Sequence, residues 1–145
     1  MAGAELVTLG SPSSFGNTIF STTTLAASAS GAKLPGMEKY TSALFVVTSG
    51  TVTGTSPTLN VYIQTLLPDG STWQDIVSFT QITAATSRIA HFVTGAASEA
   101  AVQTEALTAG SIKAIGLGNF IRVRCVVGGT NPSFADVIVT ANFFE

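Results

Sequence analysis

Asp69 and Asp75, six positions apart, are the nearest approach in this sequence to a pair of carboxylates for general acid–base work. Asp69 has a simpler role. In Pro68-Asp69-Gly70 the proline fixes φ, the aspartate bonds the backbone ahead of it and the glycine supplies positive φ, which together make a turn. Asp75 shares the alternating face of a strand with Trp73, where exposure is expected. His91, in Arg88-Ile89-Ala90-His91-Phe92-Val93, is the single histidine, so a multi-histidine metal site is excluded, and no Gly-x-Ser-x-Gly supplies a nucleophile for it. Cys125 is the single cysteine. It follows Val123 and precedes Val127 on an apolar strand face and reads as a small core hydrophobe rather than a nucleophile. Arg122 and Arg124 project from the opposite face, with Lys113 upstream. They are placed to pair with Asp136 or Glu38, or to clamp an acidic partner, and two arginines do not make a nucleic-acid patch. Gly116-Leu117-Gly118-Asn119 precedes a strand, whereas a phosphate cradle needs a helix there. Trp73, Tyr62, Tyr40 and Phe79 form either a sugar-binding platform or ordinary packing. The expectation is therefore no catalytic residue, no metal ligand set and no cofactor-binding residue, and a chain that is not an enzyme.

The composition points to surfaces rather than to a pocket. The chain has 145 residues, the length of one domain, and 46% of them are hydrophobic. Charged residues make up 10%, against a usual share of about 25%, while 15 serines and 21 threonines supply the polarity. Hydroxyls are cheaper to desolvate than ions, so such a surface suits extended protein–protein contact. The net charge of −2 offers no positive field for a polyanion, so direct nucleic-acid binding is not expected. The opening residues Met1-Ala2-Gly3-Ala4-Glu5 lack a basic region followed by an apolar run, and no apolar stretch approaches the roughly 18 residues of a membrane span. The expectation is a soluble chain made in a cytoplasm.

Runs of Val, Ile, Thr and aromatics separated by Gly, Pro, Asn and Asp predict an all-β fold. The expected strands are Glu5–Leu9, Asn17–Thr24, Tyr40–Ser49, Thr58–Leu66, Trp73–Thr80, Arg88–Val93, Asn119–Val127 and Phe134–Phe144. About eight strands at this spacing predict a single-domain antiparallel β-sandwich or jelly roll. Residues 40–145 would form its core, and residues 1–39 would add strands to the same domain or an arm for assembly. Alternation places Leu59, Val61 and Ile63 on one face, as it does Ile121, Val123, Cys125 and Val127, and Val137, Val139, Ala141 and Phe143. Ala43–Val47 is apolar on both faces, so it is expected to be central and covered twice, or buried at a subunit contact. Phe143 and Phe144 point opposite ways, which leaves one ring for a neighbour to cover.

Two further features concern connections. Gly54-Thr55-Ser56-Pro57-Thr58-Leu59 is echoed by Gly129-Thr130-Asn131-Pro132-Ser133-Phe134, which predicts the same hairpin turn used twice, by reuse rather than duplication. Ala26–Gly36 reads as a flexible loop or arm, and Ala96–Gly110 as either a short helix capped by Ser98 or a long extended loop.

The stretches Thr55-Ser56-Pro57-Thr58-Leu59-Asn60-Val61-Tyr62-Ile63-Gln64 and Pro68-Asp69-Gly70-Ser71-Thr72-Trp73-Gln74-Asp75-Ile76, together with the run from Leu117 to Phe134, resemble small structural proteins of tailed bacteriophages. The resemblance covers about half the chain, chiefly Phe45–Thr80 and Leu117–Ala141, and leaves Met1–Lys39 outside it. It implies a virion protein, specifically a head decoration (cement) protein: β-rich, a homo-oligomer with a trimer favoured, bound to the major capsid protein on the outer surface of the shell. Other readings are a minor head–tail or tail structural protein, and a carbohydrate-binding β-sandwich module.

Overall fold

The computed structural model describes residues 16–95 and 107–145. Their elements are β1 (Asn17–Leu25), β2 (Ala29–Ser30), a 3-10 turn at Met37–Lys39, β3 (Ser42–Ser49), β4 (Val52–Leu66), β5 (Trp73–Ser78), β6 (Thr86–Val93), β7 (Ser111–Ile112) and β8 (Ile121–Phe144). The fold is all-β, with eight strands in one antiparallel sheet that curls toward a barrel, as a single-domain sandwich or barrel requires. Expected strand Glu5–Leu9 and most of Ala96–Gly110 lie outside the described residues.

The two strands expected at Asn119–Val127 and Phe134–Phe144 are one strand of 24 residues. A straight strand that long would span about 80 Å, roughly twice the diameter of a domain of this size, so it has to bend. Its partner is equally long. Ser42 lies opposite Phe144 and Thr65 opposite Ile121, and the ladder runs unbroken between β3 and β4, where Gly50 N–H donates to Ala135 O at 2.7 Å and Ala135 N–H donates to Thr51 O at 3.0 Å. β1 and then β2 follow the outer edge of β8, while β5 and then β6 follow the outer edge of β4 and β3. Four long bent strands thus lie side by side in the order β1/β2, β8, β3/β4, β5/β6. Their inward residues from both halves form one core that includes Phe45, Phe92, Phe134, Leu59, Ile63 and Ile121.

The bends explain the repeated Gly-Thr-x-Pro segments and correct their reading as hairpin turns. Both lie within strands and face each other across the β4–β8 ladder. The register skips one residue of β8 between Thr53 and Thr55, then one residue of β4 between Thr55 and Thr58, after which the original register returns. Each strand therefore bulges once, opposite a glycine of the other. Gly54 has φ 111° and Gly129 φ 106°, while Ser56 and Asn131 take φ 48° and 49°. A Cβ on Gly54 would lie 2.6 Å from Asn131 O, and one on Gly129 would lie 2.7 Å from Ser56 O. Bulges bend a strand and sharpen its twist, and a facing pair bends two strands together without losing register. The strand order is also the same twice: edge strand β1/β2 then β3/β4, and edge strand β5/β6 then β8. Reuse of a turn does not account for that, so the sequence echo marks an internal two-fold pattern of the whole sheet.

Ala26–Gly36 is no free arm. β2 pairs with Cys125 and Arg124, Gly31 N–H donates to Val123 O at 2.7 Å, and Leu34 is buried in a bridge with Ile121. β1, β2 and Leu34 thus belong to the same sheet as the later strands. The Pro68-Asp69-Gly70 turn joins β4 to β5 as expected. Gly70 has φ 76° and donates to Leu67 O at 2.9 Å, and Asp69 Oδ1 accepts from the N–H groups of Ser71 and Thr72 at 3.0 and 2.8 Å. Thr72 Oγ1 also donates to Asp69 Oδ2, and these bonds, the Thr72 hydroxyl first, hold the Asp69 carboxyl below its ordinary range.

Candidate functional site

The bent sheet has two outer faces of opposite chemistry. The first is carried by β4, β5 and the N-terminal half of β8. Gln64 lies between Asp75 and Arg122 in register. Its Nε2 donates to Asp75 Oδ1 at 2.8 Å, and its Oε1 accepts from Arg122 Nε at 2.8 Å. The Arg122 guanidinium sits 4.3 Å from the centre of the Trp73 ring, within cation–π range. Asp75 is not exposed, as the alternation suggested, but 7% exposed. Its second oxygen accepts from the N–H of Leu107, ahead of β7, at 3.1 Å. Burial, with the neighbouring Arg124 charge second, lowers the pKa of Arg122. Tyr62 is raised by burial first and Asp75 second, against the opposing pull of Arg124.

Asp69 and Asp75 are separated in role: one caps a turn and the other anchors this row. Arg122 takes Gln64 and Trp73 in place of the expected Asp136 or Glu38, and Arg124 donates to Ser30 Oγ at 3.2 Å. The relay through Gln64 was not read from sequence, although Gln64 and Asp75 share a face of one hairpin and that was the available signal. Asp75→Ala is expected to cost about 2 kcal/mol, since it strands the Gln64 amide and the Leu107 N–H in a buried site. Urea unfolding measures it, and a change under about 0.5 kcal/mol would show that water replaces the carboxylate at no cost.

The four aromatics do not assemble into a platform. Trp73 and Tyr62 remain on this face, Phe79 is buried, and Tyr40 packs on Phe143 with ring centres 5.2 Å apart. Phe143 also meets the edge of Phe45 at 5.9 Å, which leaves Phe144 as the exposed ring of the C-terminal pair.

The second face is carried by β6, β3 and the C-terminal half of β8. Its rows across the three strands are Val93–Ser42–Phe144, His91–Leu44–Asn142, Ile89–Val46–Thr140 and Ser87–Thr48–Ile138. None of these positions is Lys, Arg, Asp or Glu. Ile89 is 73% exposed, and Leu44, Val93 and Phe144 are exposed as well. The Ala43–Val47 run is central in the sheet, as expected, with Ala43, Phe45 and Val47 fully buried. Its other side, with Leu44 exposed, is covered by nothing among the described residues. His91 lies at the β6 edge of that face, opposite Leu44.

Cys125 is fully buried beside Val123, and burial pushes its thiol up to about 12. The folded protein should therefore resist a thiol-specific disulfide reagent at pH 8 and react with one equivalent after unfolding, because the thiolate is the reactive form. Prompt reaction of the native protein would contradict this burial. Gly116, Gly118 and Asn119 line a cavity of about 380 Å³ with Leu66, Leu67, Pro68 and Phe120, and none of its lining residues has a titratable side chain. Among the described residues no group of three or more His, Cys, Asp or Glu could hold a metal ion. No described helix is long and apolar enough to cross a membrane. No protein-family description, curated protein or solved structure matches this chain.

Proposed function

We propose that this chain is a structural component of a tailed-bacteriophage particle: a decoration protein that self-associates, with a trimer favoured, and binds the outside of the major capsid shell. The single observation that carries the reading is the uncharged outer face of β6, β3 and β8, with Ile89 73% exposed at its edge. Contiguous exposed apolar surface of this kind marks interaction sites. The resemblance of the β4–β5 hairpin and of the Leu117–Phe134 run to phage structural proteins supports the same reading.

The mechanism is cohesion. Apolar area removed from water contributes about 25 cal/mol per Å², and a standard interface buries about 1,600 Å² in total before ordering costs are subtracted. Hydroxyl-rich surroundings lower the desolvation cost that lysines and glutamates would impose. Many copies on one shell turn modest contacts into a durable coat.

Two measurements test the reading. The purified chain should co-sediment with expanded shells of its phage and elute as a closed oligomer. Particles lacking it should lose infectivity at a lower temperature than complete ones. Six- or twelve-fold oligomers found only in tails would replace the decoration reading with the head–tail one, and a monomer that ignores shells would end both.

A further inference from the structure

The seam between β6 and β5 holds polar atoms that have no partner among the described residues. Arg88 lies on the inward side of β6, opposite the fully buried Val47. Its Nη1 donates to Thr86 Oγ1 at 3.1 Å, but its Nε is buried and bonds nothing among the described residues. Ser78, 2% exposed, has a buried Oγ that is likewise unpartnered. Both residues line one half-open cavity of about 240 Å³, together with His91, Thr80, Gly110 and Ser111. Buried donors are ordinarily satisfied. Two exceptions converging on one cavity describe a site that awaits an acceptor.

We propose that this seam binds a carboxylate, supplied by an acidic side chain on an extended peptide segment laid along β6. The free Nε edge of a guanidinium presents donors in the fork that two carboxylate oxygens match, and the Ser78 hydroxyl adds a further donor. The cavity holds one permanent cation, so it balances a single negative charge. The peptide follows from the sheet order. Among the described residues β6 pairs with β3 alone and is a terminal strand, so every second residue offers an unpaired N–H and C=O along the rim of the cavity. An added strand takes up those groups while one of its side chains enters the seam. The carboxylate would sit at the edge and inner side of β6, and of the outward row only Ile89 and His91 also border the cavity.

The test uses the full chain labelled with nitrogen-15, following the Arg88 Nε–H signal by NMR. The probes are the blocked peptide Thr-Val-Glu-Val-Thr, its Gln counterpart and acetate. The Glu peptide should move the Arg88 signal and bind roughly tenfold or more tightly than either of the other two, the margin of a charge-assisted hydrogen bond. Arg88→Gln should erase that preference. Ser78→Ala should weaken the Glu peptide without lowering the melting temperature, because the lost hydroxyl has no partner among the described residues. Equal binding of the Glu and Gln peptides would overturn carboxylate recognition. Acetate binding as tightly as the peptide would make the site one for free small acids and overturn the peptide ligand. An unmoved Arg88 signal with all three probes would overturn the site itself. Failure to bind shells would leave these outcomes unchanged.

Discussion

Replacing Gly54 or Gly129 with alanine is expected to destabilise the fold by about 3–5 kcal/mol each, the sum of backbone strain and overpacking. Both glycines sit at φ above 100°, a region that side chains rarely enter. Each added methyl would also be driven to within 2.6 or 2.7 Å of a carbonyl oxygen on the opposite strand, and backbone cannot swing aside as a side chain can. Gly36→Ala and Gly70→Ala are the controls. Those glycines have φ 78° and 76° with nothing near the new Cβ, so they should cost only about 1 kcal/mol. The excess at Gly54 and Gly129 then measures the close crossing of the two bends. The double variant should lose less than the sum of the singles, because each substitution opens the same crossing. Urea denaturation of all five proteins reads this out. Costs at Gly54 and Gly129 no larger than at Gly36 would mean that the facing bulges do not hold the sheet in its bent form.

The second large effect concerns association. Ile89→Lys should leave the stability of the monomer within about 0.5 kcal/mol, since the side chain is 73% exposed and has little packing to lose. It should nevertheless weaken self-association and shell binding by about 100-fold or more, since a lysine buried in an apolar contact has no counter-charge to meet. Val46, its neighbour in register, gives a second position for the same substitution, and Ser71→Lys in the exposed β4–β5 turn is the control. Sedimentation velocity and shell co-sedimentation give the result. An Ile89→Lys protein that assembles and coats shells as well as the parent would remove the β6–β3–β8 face from the proposed function.

Both results turn on the path of strands that local pattern reads only in pieces. Alternation was enough to place Leu59, Val61 and Ile63, and Val137, Val139, Ala141 and Phe143, on the inner side, because a strand has a period of two and one side must be dry. The Pro68-Asp69-Gly70 turn was equally legible, since each of its residues meets a local backbone requirement. The Gly-Thr-x-Pro segments were misread because glycine and proline punctuate hairpins and bulges alike. Only the partner strand distinguishes them, and here each bulge is the other's partner. Ala26–Gly36 looked like an arm for a related reason: short, small residues carry little strand propensity, and pairing with β8 supplies what they lack.

The candidate sites divide in the same way. Arg122 and Asp75 were named from sequence without their company, and Arg88 and Ser78 were not singled out at all. Gln64 joins Asp75 to Arg122 by cross-strand register, over sequence separations of 11 and 58 residues. Ser78 and Arg88 share a cavity wall although they stand on different strands, β5 and β6.

By itself the sequence determined an all-β chain with a scarcity of charge and an inward apolar set for each strand, since these depend on residue type and local spacing. Tertiary structure alone decided that two 24- and 25-residue paths bend together, which uncharged face is left to solvent, and where buried donors go unpaired. Those outcomes depend on which backbone lies opposite which, and register between distant strands is set by the packing of the whole sheet rather than by any one segment.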